Sequence, residues 1–233
     1  MMAVTVPSDD KAIAIDLERQ ATASPREQAG SHFEPRGLAN PTPLGLLAFA
    51  TSIFMISLIN LQPRGVKTPN IIVGVLVFYG GIAQVIVGIM EFVIGNTFGA
   101  TLFSSYAAFN LSYALIFIPG SGIIAAYTDP ETGALMPEFD QAIAMFAWTW
   151  FVVSIVFTVA TIRRSLVIVS ALVFVDITLI LLAVGYMLDS EPCHKASAAT
   201  GFITAALVYY AGAADLWGHT TPFRIPVGSL KKD

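Results

Sequence analysis

The sequence predicts an all-α membrane protein, a bundle of six transmembrane helices with both termini on the cytoplasmic side of the membrane. Of the 233 residues, 55% are apolar and 12% are charged, about half the charged share of an ordinary soluble domain. Mean hydropathy is +0.72. From Ile71 to Tyr127 the only charged side chain is that of Glu91, and so long a run without charge is typical of helices in hydrocarbon.

The chain begins with a polar segment, residues 1–37, rich in Ala, Ser, Glu, Gln and Arg. This composition is typical of a disordered tail, and the segment lacks the apolar stretch of a cleavable signal peptide. We therefore expect a cytoplasmic N-terminal tail over 1–37, a transmembrane domain over 38–220, and a cytoplasmic C-terminal tail over 221–233.

Six segments are long and apolar enough to cross a membrane, since a bilayer core about 30 Å thick requires roughly 20 helical residues. An even number of spans returns the chain to the side on which it began. Prolines in the connections favour breaks between several of the spans. The predicted spans are 43–61, 71–92, 98–118, 141–162, 166–188 and 196–216.

The orientation follows from the distribution of Lys and Arg, which are enriched on the cytoplasmic side of membrane proteins. With the N-terminal tail inside, three basic residues fall outside: Arg64, Lys67 and Lys195. Nine basic residues then face the cytoplasm: Lys11, Arg19, Arg26, Arg36, Arg163, Arg164, Arg224, Lys231 and Lys232.

Small residues mark two faces that we expect to pack against other helices. In the second span, glycine recurs every seven residues, at Gly74, Gly81, Gly88 and Gly95. At about 100° per residue, seven steps return within about 20° of the starting direction, so the four glycines are predicted to form one stripe. The sixth span has a similar line of small residues, and one of the two seams could serve between subunits. That line consists of Gly201, Ala205, Val208 and Gly212.

Polar side chains within the predicted spans are candidates for function, because they are costly in lipid. Tyr106, Asn110 and Tyr113 are spaced to share one face of the third span, which either bonds to other helices or lines a wet path. Gln84 and Glu91 are nearly aligned on the second span, and Glu91 lies near the membrane edge, where a capping or snorkelling role is an alternative.

The most unusual polar residue is Asp176, near the middle of the fifth span. A lone carboxyl group at this depth needs either a proton or a hydrogen-bonding partner to offset its burial. Proton coupling and a structural hydrogen bond both remain open for Asp176, and Glu91 is the second candidate for proton coupling.

Several function classes are excluded or disfavoured by composition. The single cysteine, Cys193, and three scattered histidines supply no metal-ligand pattern, and we interpret Cys193 and His194 as ordinary loop residues. No cofactor is expected. The chain has neither a basic patch nor a module for nucleic acid, and no span carries a catalytic set of side chains. A retinal protein would need a buried lysine, and none of the spans contains one.

Residues 40–49, at the start of the first span, read NPTPLGLLAF. This segment resembles the NPAPLGL signature of the acetate uptake transporter family, the YaaH-type carboxylate transporters. The second span matches through FYGGIAQ at 78–84, and GNTFG follows at 95–99. A weaker block, LLAVG, lies at 181–185. The matches fall in order over 38–220, and the long tail is similar to fungal members.

The resemblance implies a homo-hexamer in the plasma membrane, with a narrow pore inside each protomer for acetate and related small monocarboxylates. It also implies a hydrophobic constriction of three side chains, which correspond here to Phe49, Tyr106 and Val175. The chain departs from the family at Val175, where leucine is expected, and at Thr42 and Asn110. These changes predict a slightly wider and more polar path.

We expect transport coupled to proton movement, with neutral donors and helix ends binding the carboxylate weakly enough to release it. A channel for small neutral solutes such as urea, amides or ammonia is the alternative. A structural scaffold without flux is a further one. The candidate pore and substrate-binding residues are Asn40, Thr42, Leu44, Gly45, Leu46, Gln84, Asn110 and Tyr113.

Overall fold

The computed structural model describes residues 38–66, 68–218, 221–222, 225–228 and 230. The predicted N-terminal tail, 1–37, lies outside the described residues, and the fold below is that of the unit Asn40–Asp233. Six described helices have the length and apolarity needed to cross a membrane, as the sequence predicts. The six long helices are α1 Thr42–Asn60, α2 Pro69–Val93, α3 Thr97–Phe117, α5 Pro137–Thr161, α6 Leu166–Met187 and α7 Glu191–Trp217. A short helix, α4 Ile123–Ala126, lies between α3 and α5 in the chain.

The six long helices form a ring. Helix α1 packs along α7, α7 along α6, and α6 along α5, while α2 packs against both α1 and α3. A slighter contact between α3 and α5 closes the ring.

Helix ends differ from the predicted spans where charged residues continue the helix beyond the apolar segment. Helix α5 begins at Pro137 and has Glu138 and Asp140 in its first turn, where carboxylates favour the positive end of the helix dipole. Helix α7 begins at Glu191, so Cys193 and His194 belong to its first turn and not to a loop. Hydropathy alone does not detect such polar turns.

Helix α2 is not uniformly α-helical, because residues Val75–Ala83 form a π-helical segment. Each π residue turns less than 100°, so seven residues across this segment do not return to the same face. The predicted four-glycine stripe is therefore wrong in part: Gly74 is exposed and Gly95 lies beyond the helix at φ +79°. Gly81 and Gly88 do contact α3, at Leu111 and Ser104.

The small-residue line on α7 is used inside the protomer. Gly201 faces Ser57 of α1, and a Cβ at Gly212 would lie 3.2 Å from atoms of Leu46 and Leu47. Ala205 and Val208 are buried between them. This close approach of two backbones is the arrangement that small residues permit in membrane helices.

The C-terminal segment, predicted as a tail, is partly joined to the bundle. The amide of Leu166 donates to the carbonyl of Gly228 at 2.8 Å, and the amide of Leu230 donates to the carbonyl of Arg164 at 3.1 Å. Tyr210 Oη donates to the carbonyl of Pro226. Together with Ser165, whose Oγ accepts from the amide of Ile168, this segment caps the beginning of α6.

Candidate functional site

Three spaces follow one another along the axis of the ring. A central cavity of about 50 Å³ separates a vestibule of about 360 Å³ from one of about 550 Å³. We name the vestibules after Arg164 and His194, which line them. Helix α1 meets the three spaces in order: Thr42 and Leu46 line the Arg164 vestibule, Phe49 to Ile56 line the cavity, and Ile59 lines the His194 vestibule.

Helices α3 and α6 meet the spaces in the same order. On α3 the order is Leu102, Tyr106 and Tyr113, and on α6 it is Ile168, Val175 and Tyr186. Because three helices agree, the spaces lie in series through the bundle, with the smallest at the centre. We call this series the path.

The three residues of the expected constriction come together from three helices. The ring centroids of Phe49 and Tyr106 are 4.7 Å apart, and both rings line the central cavity with Val175. Phe157 lies behind Tyr106, with ring centroids 5.7 Å apart, and the Tyr106 hydroxyl forms a 3.2 Å hydrogen bond with Ser154 Oγ. These contacts hold both faces of the Tyr106 ring, so a solute must pass beside packed aromatic side chains.

Asn110 joins the cavity to a buried polar network behind it. Its Nδ2 lies 2.9–3.1 Å from three acceptors, the carbonyl oxygens of Gly80 and Tyr106 and Gln84 Oε1, which share its two hydrogens. Gln84 Nε2 in turn donates to the carbonyl of Gly45 at 3.2 Å. The π-helical segment brings Gly80 close enough for this contact, and a Cβ there would overlap Ser52 and Asn110. Asn110 is therefore fixed by α2, and replacing it with tryptophan would break this network.

Glu91 is fully buried and holds three helices together. Its Oε1 accepts from Thr42 Oγ1 at 2.6 Å, and its Oε2 accepts from Asn96 Nδ2 at 2.6 Å. Asn96 is also the N-cap of α3, since its Oδ1 accepts from the amide of Gly99. Both carboxylate oxygens thus have neutral donors at the start of α1 and α3, which is the capping arrangement weighed from the sequence.

Asp176 is buried between α5 and α6, beside the constriction residue Val175 but outside the lining of the cavity. Its Oδ2 lies 2.7 Å from Thr158 Oγ1, and its Oδ1 has no hydrogen-bonding partner among the described residues. Thr158 Oγ1 also lies 3.1 Å from the carbonyl oxygen of Ser154. The one hydroxyl hydrogen of Thr158 is therefore shared between the Asp176 carboxyl group and the carbonyl oxygen of Ser154.

The remaining candidate residues fall into two groups. Asn40, Thr42 and Leu46 line the Arg164 vestibule, and Tyr113 lines the His194 vestibule. Gly45 and Leu44 line none of the three spaces: Gly45 packs against the ring of Phe103, and Leu44 is 42% exposed on the outside of the bundle. Placing Leu44 at the pore was wrong, because two steps along a helix from Leu46 lead to nearly the opposite face.

The start of α1 also offers fewer free amides than expected. Asn40 Oδ1 accepts from the amide of Thr42 at 3.1 Å, and Asn40 Nδ2 donates to Asp215 Oδ2 at 2.9 Å. The hydroxyl of Thr42 is engaged with Glu91. A carboxylate at this entrance would therefore contact side chains and find few free backbone amides at the helix end.

Sequence reasoning missed several residues that line the path. Phe109 and Trp150 line the central cavity, with ring centroids 5.2 Å apart, and Thr178 and Leu182 complete its α6 side. His194 packs edge-on against Tyr186 and faces the path, although its position beside Cys193 suggested a loop. The aromatic spacing of α3 could have indicated Phe109, but no local signal distinguishes Trp150 from a core residue.

The chemistry of the path is that of a conduit for a small solute. No charged side chain of the described residues lines the central cavity. The Arg164 vestibule contains Arg164 and Asp215. The His194 vestibule contains Asp189, Glu191 and Lys195, and Lys195 forms a 2.7 Å ion pair with Glu191. Within the described ranges, no three His, Cys, Asp or Glu residues are grouped to hold a metal ion.

The sequence of this chain is similar to those of several known proteins. The family described as "GPR1/FUN34/yaaH family" matches residues 23–232. Acetate permease A of Emericella nidulans is 34% identical over 203 residues, covering 83% of this chain and 67% of the permease. Accumulation of dyads protein 2 of Saccharomyces cerevisiae is 35% identical, covering 74% of this chain and 59% of that protein.

Another relative is named for the transport of a different solute. Ammonia transport outward protein 2 of Saccharomyces cerevisiae is 33% identical to this chain, over 74% of this chain and 59% of that protein. The chain thus spans about three fifths to two thirds of the length of these curated relatives. Among solved structures, one titled "Structure of the bacterial acetate channel SatP" superposes with a TM-score of 0.70 and 27% identity. That match covers 82% of this chain and 99% of the solved one.

Proposed function

This chain belongs to the GPR1/FUN34/yaaH family, and we propose that it is an integral, multi-pass membrane protein that carries acetate and related small monocarboxylates. The observation that supports this most is the series of three spaces, with a small central cavity that no charged side chain of the described residues lines. Arg164 can attract a small anion at one end, and the anion then meets no fixed charge at the centre to trap it. We propose no enzymatic activity.

The size of the central cavity supports a small solute. Its volume of about 50 Å³ is several times the ~10–15 Å³ that one water molecule needs. Its wall is almost entirely apolar, because the polar groups of Ser52, Tyr106, Asn110 and Thr178, which line it, already bond to protein. Such a wall can hold a carboxylate only weakly. Weak binding is what rapid passage requires.

The experiment that tests this function is uptake of labelled acetate by proteoliposomes containing the purified protein. Undissociated acetic acid crosses lipid unaided, so the rate in protein-free liposomes is subtracted. We expect protein-dependent acetate flux that propionate competes for and that exceeds urea and ammonium flux. Ammonium or urea flux without acetate flux would instead support a channel for small neutral solutes, as the name of the ammonia-transport relative suggests. Absence of all of these fluxes would support a structural scaffold without transport.

We further propose that transport is coupled to protons through Asp176. Two observations support this proposal: Oδ1 of the buried Asp176 carboxyl group has no hydrogen-bonding partner among the described residues, and Asp176 lies beside Val175. Glu91 is the weaker candidate, because both of its oxygens already accept from fixed neutral donors.

Assembly and placement in the cell are also proposals. We propose a homo-hexamer in the plasma membrane, with both termini in the cytoplasm and lipid around the assembly. Large apolar side chains cover the outside of the bundle, Phe78 at 69% exposure and Ile71 at 65% among them, and α2 contributes several. Native mass spectrometry that finds only monomers in several mild detergents would contradict the hexamer.

Replacing Val175 with leucine is expected to narrow selection toward acetate. The added methylene enters the central cavity and is worth only about 0.8 kcal/mol of apolar contact, so competition by propionate and lactate should weaken about three- to fourfold. Val173→Leu is the matched control, since Val173 lies on the same helix but is 41% exposed. Inhibition profiles that are identical in wild type and Val175→Leu would mean that the constriction does not set size selection.

A further inference from the structure

Arg164 is the only lysine or arginine among the described residues that line the Arg164 vestibule. The vestibule lies on the path directly next to the constriction, since Leu46 in its wall is three residues from Phe49. Its one acidic residue is Asp215, which accepts a hydrogen bond from Asn40. A solute in this vestibule therefore shares the space with the guanidinium.

The guanidinium is held in place without being neutralised. Its central carbon lies 4.2 Å from the ring centroid of Phe98, a cation–π contact, and Nη2 donates a long hydrogen bond of 3.4 Å to Asn96 Oδ1. No ion pair to Arg164 occurs among the described residues. Since a guanidinium has five N–H donors, most remain available to a ligand.

The backbone of Arg164 is fixed as well. Its amide donates to the carbonyl of Thr161 at 2.8 Å, and its carbonyl accepts from the amide of Leu230. The C-terminal segment thus pairs with the α5–α6 connection, and its Ile225 and Val227 form part of the vestibule wall. Arg163, the preceding residue, is exposed and does not line the vestibule.

We propose that Arg164 is a specificity-determining residue that binds the carboxylate group of the solute in this vestibule and so favours the anion over neutral solutes. The planar, always charged guanidinium matches a carboxylate. The amides of Asn40 and Asn96 add neutral donors, and the nearby Asp215 carboxylate limits the affinity so that the solute is released. This inference rests on the proposed function, because it names the chemical form of the same solute.

The test is equilibrium exchange of labelled acetate in proteoliposomes, which loads both vestibules whatever the orientation of the protein. Arg164→Gln is compared with Arg163→Gln, which removes the same charge from the neighbouring position. We expect the half-saturating acetate concentration to rise about fivefold in Arg164→Gln, the upper range for one exposed ion pair, and to be unchanged in Arg163→Gln. Added salt should weaken acetate binding in wild type and Arg163→Gln but not in Arg164→Gln.

Each outcome decides a different question. Equal effects of the two variants, or no effect of either, would overturn the role of Arg164. Absence of protein-dependent acetate exchange in the wild type would instead overturn the proposed function. If Arg164→Gln does not fold, the wild-type protein still gives an answer through modification by phenylglyoxal: acetate should slow the reaction of Arg164 and not that of Arg163, and equal protection would contradict the proposal.

Discussion

Gly81→Leu is expected to prevent assembly of a folded bundle. A Cβ at Gly81 would lie 2.5 Å from Leu111 Cδ2 on α3 and 2.9 Å from the carbonyl oxygen of Leu76 in the same helix. The Leu111 side chain can move, but the backbone of the π-helical segment cannot move without disturbing the contact between Gly80 and Asn110. We expect a cost at or above the ~3 kcal/mol upper end of typical overpacking effects.

The matched control is Gly74→Leu, one predicted stripe position earlier. Gly74 has no atom within 4 Å of an added Cβ, so its replacement should leave the yield of monodisperse protein near that of wild type. The two variants are compared by gel filtration in detergent and by their thermal unfolding midpoints. A Gly81→Leu protein that behaves like Gly74→Leu would show that α2 and α3 do not pack as closely as described.

Asp176→Asn is expected to abolish the stimulation of acetate uptake by an inward proton gradient. The amide retains the size of the carboxyl group and a donor toward Thr158 but cannot release a proton. Buried carboxyl groups without a cation are the usual proton carriers of membrane transporters. Wild-type uptake should be faster with the gradient than without it, and uptake by Asp176→Asn should be the same in both conditions, after subtraction of the protein-free rate.

Glu91→Gln is the control for this experiment, since Glu91 is the second buried carboxyl group of the spans. Its amide oxygen can accept from Asn96, and its NH₂ group can donate to Thr42 Oγ1, so the network at the start of α1 and α3 is kept. We expect proton stimulation to persist in this variant. If stimulation persists in Asp176→Asn and disappears in Glu91→Gln, the assignment of the two residues is reversed.

Hydropathy was sufficient to find the spans, and motif resemblance was sufficient to name the residues of the expected constriction. Each of the six segments carries its own apolar run, so hydropathy found all of them and misjudged mainly the polar first turns of α5 and α7. Phe49, Tyr106 and Val175 were named through motif resemblance, and the structure brings them to one cavity. The roles of these residues in transport stay predictions.

Facing directions were harder to predict than positions. The glycine stripe failed at Gly74 because the calculation assumed 100° per residue, and no sequence signal revealed the π-helical segment. Leu44 was placed at the pore because it belongs to a motif, yet it lies on the outside of α1. In both cases the error is a rotation about a helix axis, which neighbouring helices determine.

The sequence by itself determined the number of spans and their order, because the cost of burying charge in hydrocarbon is local to each segment. Only the tertiary structure decided which polar groups meet. Glu91 finds Thr42 on α1 and Asn96 at the start of α3, Asp176 finds Thr158 on α5, and Arg164 reaches Phe98 across the bundle. Except for the contact of Glu91 with Asn96, these pairings join residues on different helices that lie far apart in the chain. They depend on helix rotation and close packing, which no single segment encodes.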